Sequence, residues 1–340
     1  MVHVLLLVGC AVAIYLACEW FVNAVEWLGA RLQVGAGAVG SILAAAGTAL
    51  PESVVTLVAV LFGSPQAGDD IAVGAALGGP LVVGTLAYAV TGAMLLLRRR
   101  QRAARPDADR EEHAALFGAN GARLATDQTW FVAIFVVKVA LGLVAFAIKP
   151  WLGLAFFAAY GVYFWREMRQ DDEVASHDDL EPLKLQPRRA YPATWAVTAQ
   201  ALVTLVIIFA ASQLFVAQLE WAGPALGLPA VVVALLLSPV ATELPEILNA
   251  IIWVRQGKTQ LALGNISGAM MIQATVPSGI GLLGTPWMFD APLLMAAGAT
   301  LASVLYLLWL TRTRRATALT LTGAGVFYLL FAAGLVAVRA

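Results

Sequence analysis

Residues 47–52 read Gly-Thr-Ala-Leu-Pro-Glu, and residues 241–246 read Ala-Thr-Glu-Leu-Pro-Glu. The two stretches are 194 residues apart, and the same offset aligns further short matches: Phe21-Val22 with Phe215-Val216, Glu26-Trp27 with Glu220-Trp221, and Gly29 with Gly223. After four extra residues in the first copy, residues 71–74 align with residues 261–264. One offset that serves several separate matches indicates an internal repeat.

The composition excludes a water-soluble globular domain. Of the 340 residues, 61% are hydrophobic and only 12% are charged, and the mean hydropathy is +0.82. Soluble domains contain about 45–50% apolar and about 25% charged residues. The basic residues lie in short loops between apolar stretches, which argues against nucleic acid as a partner. The sequence therefore predicts an all-α, polytopic protein of the lipid bilayer.

Ten stretches are apolar and approach the roughly 20 residues that a helix needs to cross a bilayer. They are residues 3–27, 35–62, 70–97, 129–148, 150–166, 194–220, 229–254, 260–283, 287–310 and 317–338. The repeat divides them into five spans per copy. Because five is an odd number, the second copy has the inverted topology in the membrane. We therefore predict a first five-helix repeat at 1–166, a linker at 167–193, and an inverted second repeat at 194–340.

The basic residues predict the orientation of these spans. Lys and Arg collect in cytoplasmic loops, and nearly all of them fall on one side, with most in the segments at about 98–128 and 167–193. This distribution places both termini outside the cell (inner) membrane. The two basic segments lack a sustained periodicity, so we expect solvated connectors there.

Carboxylates stand next to the two prolines of the repeated motif. Pro51 and Pro245 have no backbone N–H, so they should leave the carbonyl oxygens of Gly47 and Ala241 without their helical donors. The neighbouring Glu52 and Glu246, with Glu243, lie at membrane depth, where an acidic residue indicates a functional site. A simpler alternative is ion pairing with Lys138, the one basic residue within a span. For the remaining acidic residues of the spans we expect structural or interfacial roles: Glu19, Glu26 and Glu220.

These motifs resemble those of the calcium/cation antiporter superfamily, which includes the sodium/calcium exchangers. The two Leu-Pro-Glu stretches resemble its Gly-Thr-Ser-Leu-Pro-Glu signatures, and residues 262–268 resemble its Ala-Leu-Gly-Asn-Val-Ile-Gly motif. The resemblance implies a cation antiporter of five plus five inverted helices with outward termini, in which the first and sixth helices slide past a core. It implies neither an enzyme nor a resident cofactor, because the cation is the cargo.

The resemblance also implies cation ligands. It assigns calcium to Glu52 and Glu246 and places the family's threonines at Thr48 and Thr242. Several other family ligands are missing, at Ala49, Gly79, Val83 and Ala269. With Glu243, Gln273 and the carbonyls of Gly47 and Ala241, enough oxygens remain for one divalent ion, which prefers six to eight.

The depleted ligand set favours protons over sodium as the counter-ion. Three sodium ions would each need a cage of neutral oxygens, whereas a cluster of glutamates that loses its cation takes up protons as a coupled set. We therefore expect exchange of Ca²⁺ for H⁺, with Na⁺/Ca²⁺ exchange as the alternative. A channel and a transport-dead relative stay open as further readings, and the oligomeric state is not determined by the sequence.

Overall fold

The computed structural model describes residues 2–35, 38–62, 65–102, 121–169, 180–225 and 236–339. These residues are mostly helical and contain no strand. The α-helices, numbered in chain order, are α1 (Val2–Leu32), α2 (Ala45–Phe62), α3 (Pro65–Val82), α4 (Tyr88–Arg102), α5 (Gly121–Gly142), α6 (Gly153–Met168), α7 (Thr194–Ala225), α8 (Ser238–Thr242), α9 (Leu244–Gln256), α10 (Thr259–Gly284), α11 (Ala291–Arg312), α12 (Ala318–Thr322) and α13 (Gly325–Arg339). The expected all-helical fold is confirmed.

Irregular helical turns interrupt this pattern in several places. A π-helical turn at Val39–Ala44 precedes α2, and another at Val83–Ala87 joins α3 to α4. A 3₁₀ turn at Lys149–Leu152 precedes α6. π-helical turns are rare and are frequent at functional sites, and both of these lie in the half of the chain that carries the first Leu-Pro-Glu motif.

Seven helical stretches in the described residues are long and apolar enough to cross a bilayer. They are Leu5–Leu32, Ala72–Arg99, Ala122–Gly142, Thr194–Phe215, Thr259–Gly284, Ala291–Arg312 and Ala318–Ala337. An eighth is the bent pair Val39–Ala49 and Glu52–Phe62, whose two parts meet at 44°. The protein is therefore an integral membrane protein, as its composition predicts.

Within the described residues, two of the ten predicted spans are not found as helices long enough to cross a bilayer. α6 has 16 residues, so it is only about 24 Å long, shorter than the roughly 30 Å hydrocarbon core. The span at 229–254 is described only from residue 236 and is interrupted at Glu243. The count of ten spans and the inverted repeat stay predictions.

The boundary predicted for the fourth span is wrong. We expected a loop through residue 128, but α5 begins at Gly121. The charged residues at its start are paired rather than solvated: Arg123 with Glu167, and Arg166 with Asp127 at 2.9 Å. Because these partners neutralise the charges inside the protein, the helix continues past the polar residues that mark a loop in the sequence.

The linker predicted at 167–193 is described at residues 180–193, most of which are exposed, but it is also anchored to two helices. Asn23 and Trp27 of α1 donate to the carbonyl oxygen of Glu181 at 3.3 and 2.8 Å. Gln200 of α7 accepts the backbone N–H of Leu185 at 2.7 Å, and the Leu183 side chain is fully buried. This part of the linker is thus bound to both α1 and α7.

α10 forms the centre of the structure. It contacts α2, α3, α5 and α6, and 83% of its most apolar 18-residue stretch is buried inside the protein. α1 and α7 instead pack mainly against each other at the periphery, and only 33% of the corresponding stretch of each helix is buried. A central group of helices is therefore flanked by a long helical pair.

Two glycines bring α10 against the π-helical turn before α2. A Cβ atom on Gly268 would lie 2.0 Å from the Ser41 carbonyl oxygen, and one on Gly40 would lie 2.8 Å from that of Leu261. Both obstacles are backbone atoms that cannot rotate away. Only glycine permits this approach.

We expect Gly268→Ala to lower the unfolding temperature of the detergent-purified protein by several degrees, because overpacking of this kind costs about 1–3 kcal/mol. Gly298→Ala is the matched control, since a Cβ there meets nothing within 4 Å. Thermal unfolding followed by tryptophan fluorescence measures both variants. Equal unfolding temperatures would contradict the close backbone contact.

Candidate cation site

The two Leu-Pro-Glu motifs meet inside the protein. Glu52 lies just after the bend in α2, and Glu246 lies in the first turn of α9. Glu243 occupies the break between α8 and α9, where the backbone leaves the helical conformation at φ −87° and ψ 4°. The three side chains are 7%, 0% and 1% exposed, respectively. Each break thus positions a carboxylate in the interior rather than toward lipid.

Contacts between these residues cross from one half of the chain to the other. The Glu52 carboxyl group interacts with the Glu243 carboxyl group and with the Thr242 hydroxyl group. Conversely, Thr48 of the first half lies close to the Glu246 carboxyl group of the second half. The expected cluster therefore forms, and its members come from both copies of the motif.

Glu243 is held by one defined partner. Its Oε2 accepts a hydrogen bond from Gln273 Nε2 at 2.6 Å, so the predicted proximity of these two residues is found. Gly79 lies directly beside this pair, and a Cβ atom on it would be 2.9 Å from Glu243 Oε1. The acidic side chain of one half therefore occupies the space beside a residue of the other half that has no side chain.

Several oxygens of the cluster have no hydrogen-bond donor. They are Glu243 Oε1, Glu246 Oε1, Glu246 Oε2 and Gln273 Oε1, all buried. Buried polar atoms without partners are uncommon in proteins. Oxygens that lack a donor are suited to accept a proton or to coordinate a cation.

The two threonine hydroxyl groups are oriented by their own helices. Thr48 donates to the Ala44 carbonyl oxygen at 3.2 Å, and Thr242 donates to that of Pro239 at 3.1 Å. A hydroxyl hydrogen used in this way leaves the oxygen lone pairs available. Both hydroxyl groups can therefore act as neutral cation ligands.

The expectation for the two backbone carbonyls needs one correction. The Ala241 carbonyl oxygen accepts a backbone N–H at the end of α8, because the chain leaves the helix before Pro245 and a tighter turn supplies a donor. One of its lone pairs is therefore used. Gly47 lies where a Cβ atom would come within 2.5 Å of the Phe21 ring, so this part of α2 faces α1.

Further residues near the cluster were not among the predicted ligands. Asn249 lies one helical turn after Glu246, and its amide group is fully buried without a partner. Ser212 and Gln213 of α7 line a cavity of about 20 Å³ beside Thr48 and Glu52. The spacing of three from Glu246 could have identified Asn249, whereas nothing local in the sequence relates α7 to α2.

Of the two roles expected for Glu26, a structural one and one at the membrane interface, the structural one is found. It is 6% exposed and accepts hydrogen bonds from Trp253 Nε1 at 2.8 Å and from Lys258 Nζ at 2.5 Å. Glu19 forms a longer ion pair with Lys184 at 3.6 Å, and the side chain of Glu220 lies outside the described residues. Glu26 therefore links α1 to the end of α9.

No three His, Cys, Asp or Glu side chains in the described residues form a closed metal site. Glu52, Glu243 and Glu246 nevertheless interact with one another, and Thr48, Thr242 and Gln273 lie beside them. A cation here would take oxygens of mixed type from α2, α8, α9 and α10.

Comparison with known proteins agrees with this arrangement. The family profile described as sodium/calcium exchanger protein matches residues 2–168 and 196–338. An Alkalimonas amylolytica protein that carries the antiporter name CaxA is 29% identical over 171 residues, which are 48% of this chain. That match spans 51% of the relative, about half its length.

Solved structures of the sodium-calcium exchanger NCX_Mj share the fold. The form soaked with 2.5 mM Na⁺ and 0.1 mM Ca²⁺ has a TM-score of 0.73 at 14% identity and covers 98% of this chain and 99% of that one. The form soaked with 2.5 mM Na⁺ and 10 mM Sr²⁺ has a TM-score of 0.71 at 13% identity, with 97% of each chain covered. Because the family profile covers most of the sequence on both sides of the linker, this chain belongs to the sodium/calcium exchanger family.

Proposed function

We propose that this protein is a secondary-active antiporter that exchanges Ca²⁺ for H⁺ by alternating access. The observation that carries this proposal is the reciprocal contact of Glu52 with Glu243 and Thr242, and of Thr48 with Glu246. In this proposal the ten spans form two inverted five-helix repeats in the cell (inner) membrane, with both termini outside. Ion sites of secondary transporters lie where broken helices of two repeats meet.

The donor set favours a divalent cation. Hard divalent ions prefer carboxylate, carbonyl and amide oxygens, and Glu52, Glu243 and Glu246 supply three carboxylates within one buried cluster. Burying three negative charges without compensation is costly in the membrane. A bound divalent ion would compensate most of that charge, which supports Ca²⁺ as the transported ion.

The surroundings of the cluster favour H⁺ over Na⁺ as the counter-ion. Ala49, Gly79 and Val83 are buried next to the motif helices and supply no side-chain oxygen. Three Na⁺ binding sites would need such side-chain oxygens as ligands, whereas protons need only the carboxylates. Coupled protonation of neighbouring acids is therefore the simpler way to release the cation.

The packing supports a transport cycle in which α1 and α7 move together. These helices pack more extensively against each other than against the central helices, and α7 lines the small cavity beside Glu52. A shift of this pair would change access to the carboxylates without disturbing α10. A channel is less consistent with a cluster whose carboxylates are almost fully buried.

Na⁺/Ca²⁺ exchange is the second candidate, because the matching family profile is described by that activity. Calcium flux into proteoliposomes separates the two candidates when it is driven in turn by a pH step and by a sodium step. The proposal requires flux with the pH step in the absence of sodium. Flux that strictly needs a sodium gradient would assign Na⁺ instead.

We expect Glu52→Gln and Glu246→Gln each to reduce Ca²⁺ flux to background while the protein stays folded, because each removes one ionised ligand and preserves side-chain shape. Glu19→Gln is the matched control, since Glu19 is 37% exposed and pairs weakly with Lys184. Radioactive Ca²⁺ uptake by purified protein in liposomes measures all three. Full activity in either of the first two variants would refute the site.

We expect the apparent Ca²⁺ affinity to fall steeply as the pH drops from about 8 to about 6. The cluster of Glu52, Glu243 and Glu246 must be ionised to hold the cation and protonated to release it, so each proton taken up opposes binding. Isolated carboxyl groups in water titrate near pH 4 and would give little change in this window. Half-saturating Ca²⁺ concentrations measured at each pH test this, and a flat profile would contradict proton coupling.

A further inference from the structure

Lys138 is fully buried near the C-terminal end of α5, next to the carboxylate cluster. Its Nζ donates to the Ala76 carbonyl oxygen of α3 at 2.5 Å and to the Gln273 carbonyl oxygen of α10 at 3.3 Å. The ammonium group also interacts electrostatically with Glu52. One positive charge is thus held between main-chain oxygens from the two halves of the protein.

Both carbonyl groups lack their usual helical donor for the same reason. Pro80 lies four residues after Ala76 within α3, and Pro277 lies four residues after Gln273 within α10. Proline has no N–H, so the carbonyl four residues earlier receives no helical hydrogen bond from it. At membrane depth such an oxygen needs another partner inside the protein. The Lys138 amine supplies it to both.

The surroundings of this amine are those of a monovalent cation. It faces two carbonyl oxygens, the Glu52 carboxylate, and the ring of Phe135, whose centroid is 5.4 Å from Nζ. Carbonyl and carboxylate oxygens bind alkali cations and small primary ammonium ions alike, and aromatic faces attract either through their quadrupole. The lysine stem reaches this point from α5 and fixes the charge there.

We propose that the Lys138 amine, in its protonated form, is a tethered cation that occupies a monovalent-cation position beside the transport site. No transported Na⁺ can then use the carbonyl oxygens of Ala76 and Gln273. This inference rests on the proposed function in one respect, the assignment of Glu52 to that site. With three ionised glutamates and this fixed positive charge, the cluster balances one divalent ion.

Removal of the tethered charge provides the test. Lys138→Ala leaves space for a free cation, and Lys138→Met fills the same space without a charge. The binding probes are Na⁺ and methylammonium, each as its chloride salt, with choline chloride to match ionic strength. Binding is read as the shift in unfolding temperature of the purified full-length protein and, independently, as retention of radioactive Na⁺.

We expect Na⁺ and methylammonium to raise the unfolding temperature of Lys138→Ala by about 2–4 °C at saturation, as binding to the folded state requires. The wild-type protein and Lys138→Met should show no shift beyond that with choline. In liposomes, Lys138→Ala should transport less Ca²⁺ than the wild-type protein, and either cation should raise the Ca²⁺ flux of this variant several-fold. Lys138→Ser, which also removes the charge and leaves space for a cation, serves the same purpose if the alanine variant does not fold.

Lys149→Ala is the matched control for the loss of a buried lysine. Lys149 is 4% exposed and donates to the carbonyl oxygens of Val144, Pro286 and Trp287, outside the carboxylate cluster. Its variant should gain no response to Na⁺ or methylammonium. Equal responses of Lys138→Ala and Lys149→Ala, or no response in a folded Lys138→Ala variant, would overturn the proposal.

The binding measurements separate this proposal from the proposed function. If the wild-type protein transports no Ca²⁺ but Lys138→Ala binds Na⁺, the tethered cation stands and the antiporter assignment fails. If the wild-type protein exchanges Ca²⁺ and neither Na⁺ nor methylammonium binds to Lys138→Ala, the antiporter assignment stands and the tethered cation fails.

Discussion

A proline inside a membrane-spanning helix leaves a main-chain carbonyl oxygen that must find a partner within the protein. In water such an oxygen would bind solvent, but in hydrocarbon it costs several kcal/mol if it stays alone. The interior depends on how these oxygens are satisfied. Around Pro245 the chain leaves the helix, whereas a lysine amine reaches the free oxygens four residues before Pro80 and Pro277. Each solution brings a charged side chain to the buried cluster.

The two halves compensate for each other in volume as well as in charge. Gly79 has no side chain, and the Glu243 carboxylate with its Gln273 partner lies against it. A larger residue at position 79 would collide with that carboxylate, so the small residue and the extra acid belong together. In the proposed site, the space beside a residue without a side chain in one half is therefore filled by an acidic side chain of the other half.

The sequence predicts the helical class, most spans and the residues of the carboxylate cluster, because apolar periodicity and the Leu-Pro-Glu repeat are local signals. It does not predict the start of α5, since the pairing of Asp127 with Arg166 depends on how α5 and α6 pack against each other. The same holds for Glu26, whose partners Trp253 and Lys258 lie in the opposite half. The Ala241 carbonyl oxygen shows a second limit of sequence-based prediction. Pro245 predicts that this oxygen lacks its helical donor, but it does not predict the turn at the end of α8 that supplies another one.

The binding of residues 180–193 to α1 and α7 has a mechanical consequence. Asn23 and Trp27 hold the carbonyl oxygen of Glu181, and Gln200 holds Leu185, so the connection between the halves is fastened to the peripheral pair before it enters α7. Displacement of that pair relative to the central helices does not stretch this fastened part. This part of the linker would therefore travel with α1 and α7 as one unit.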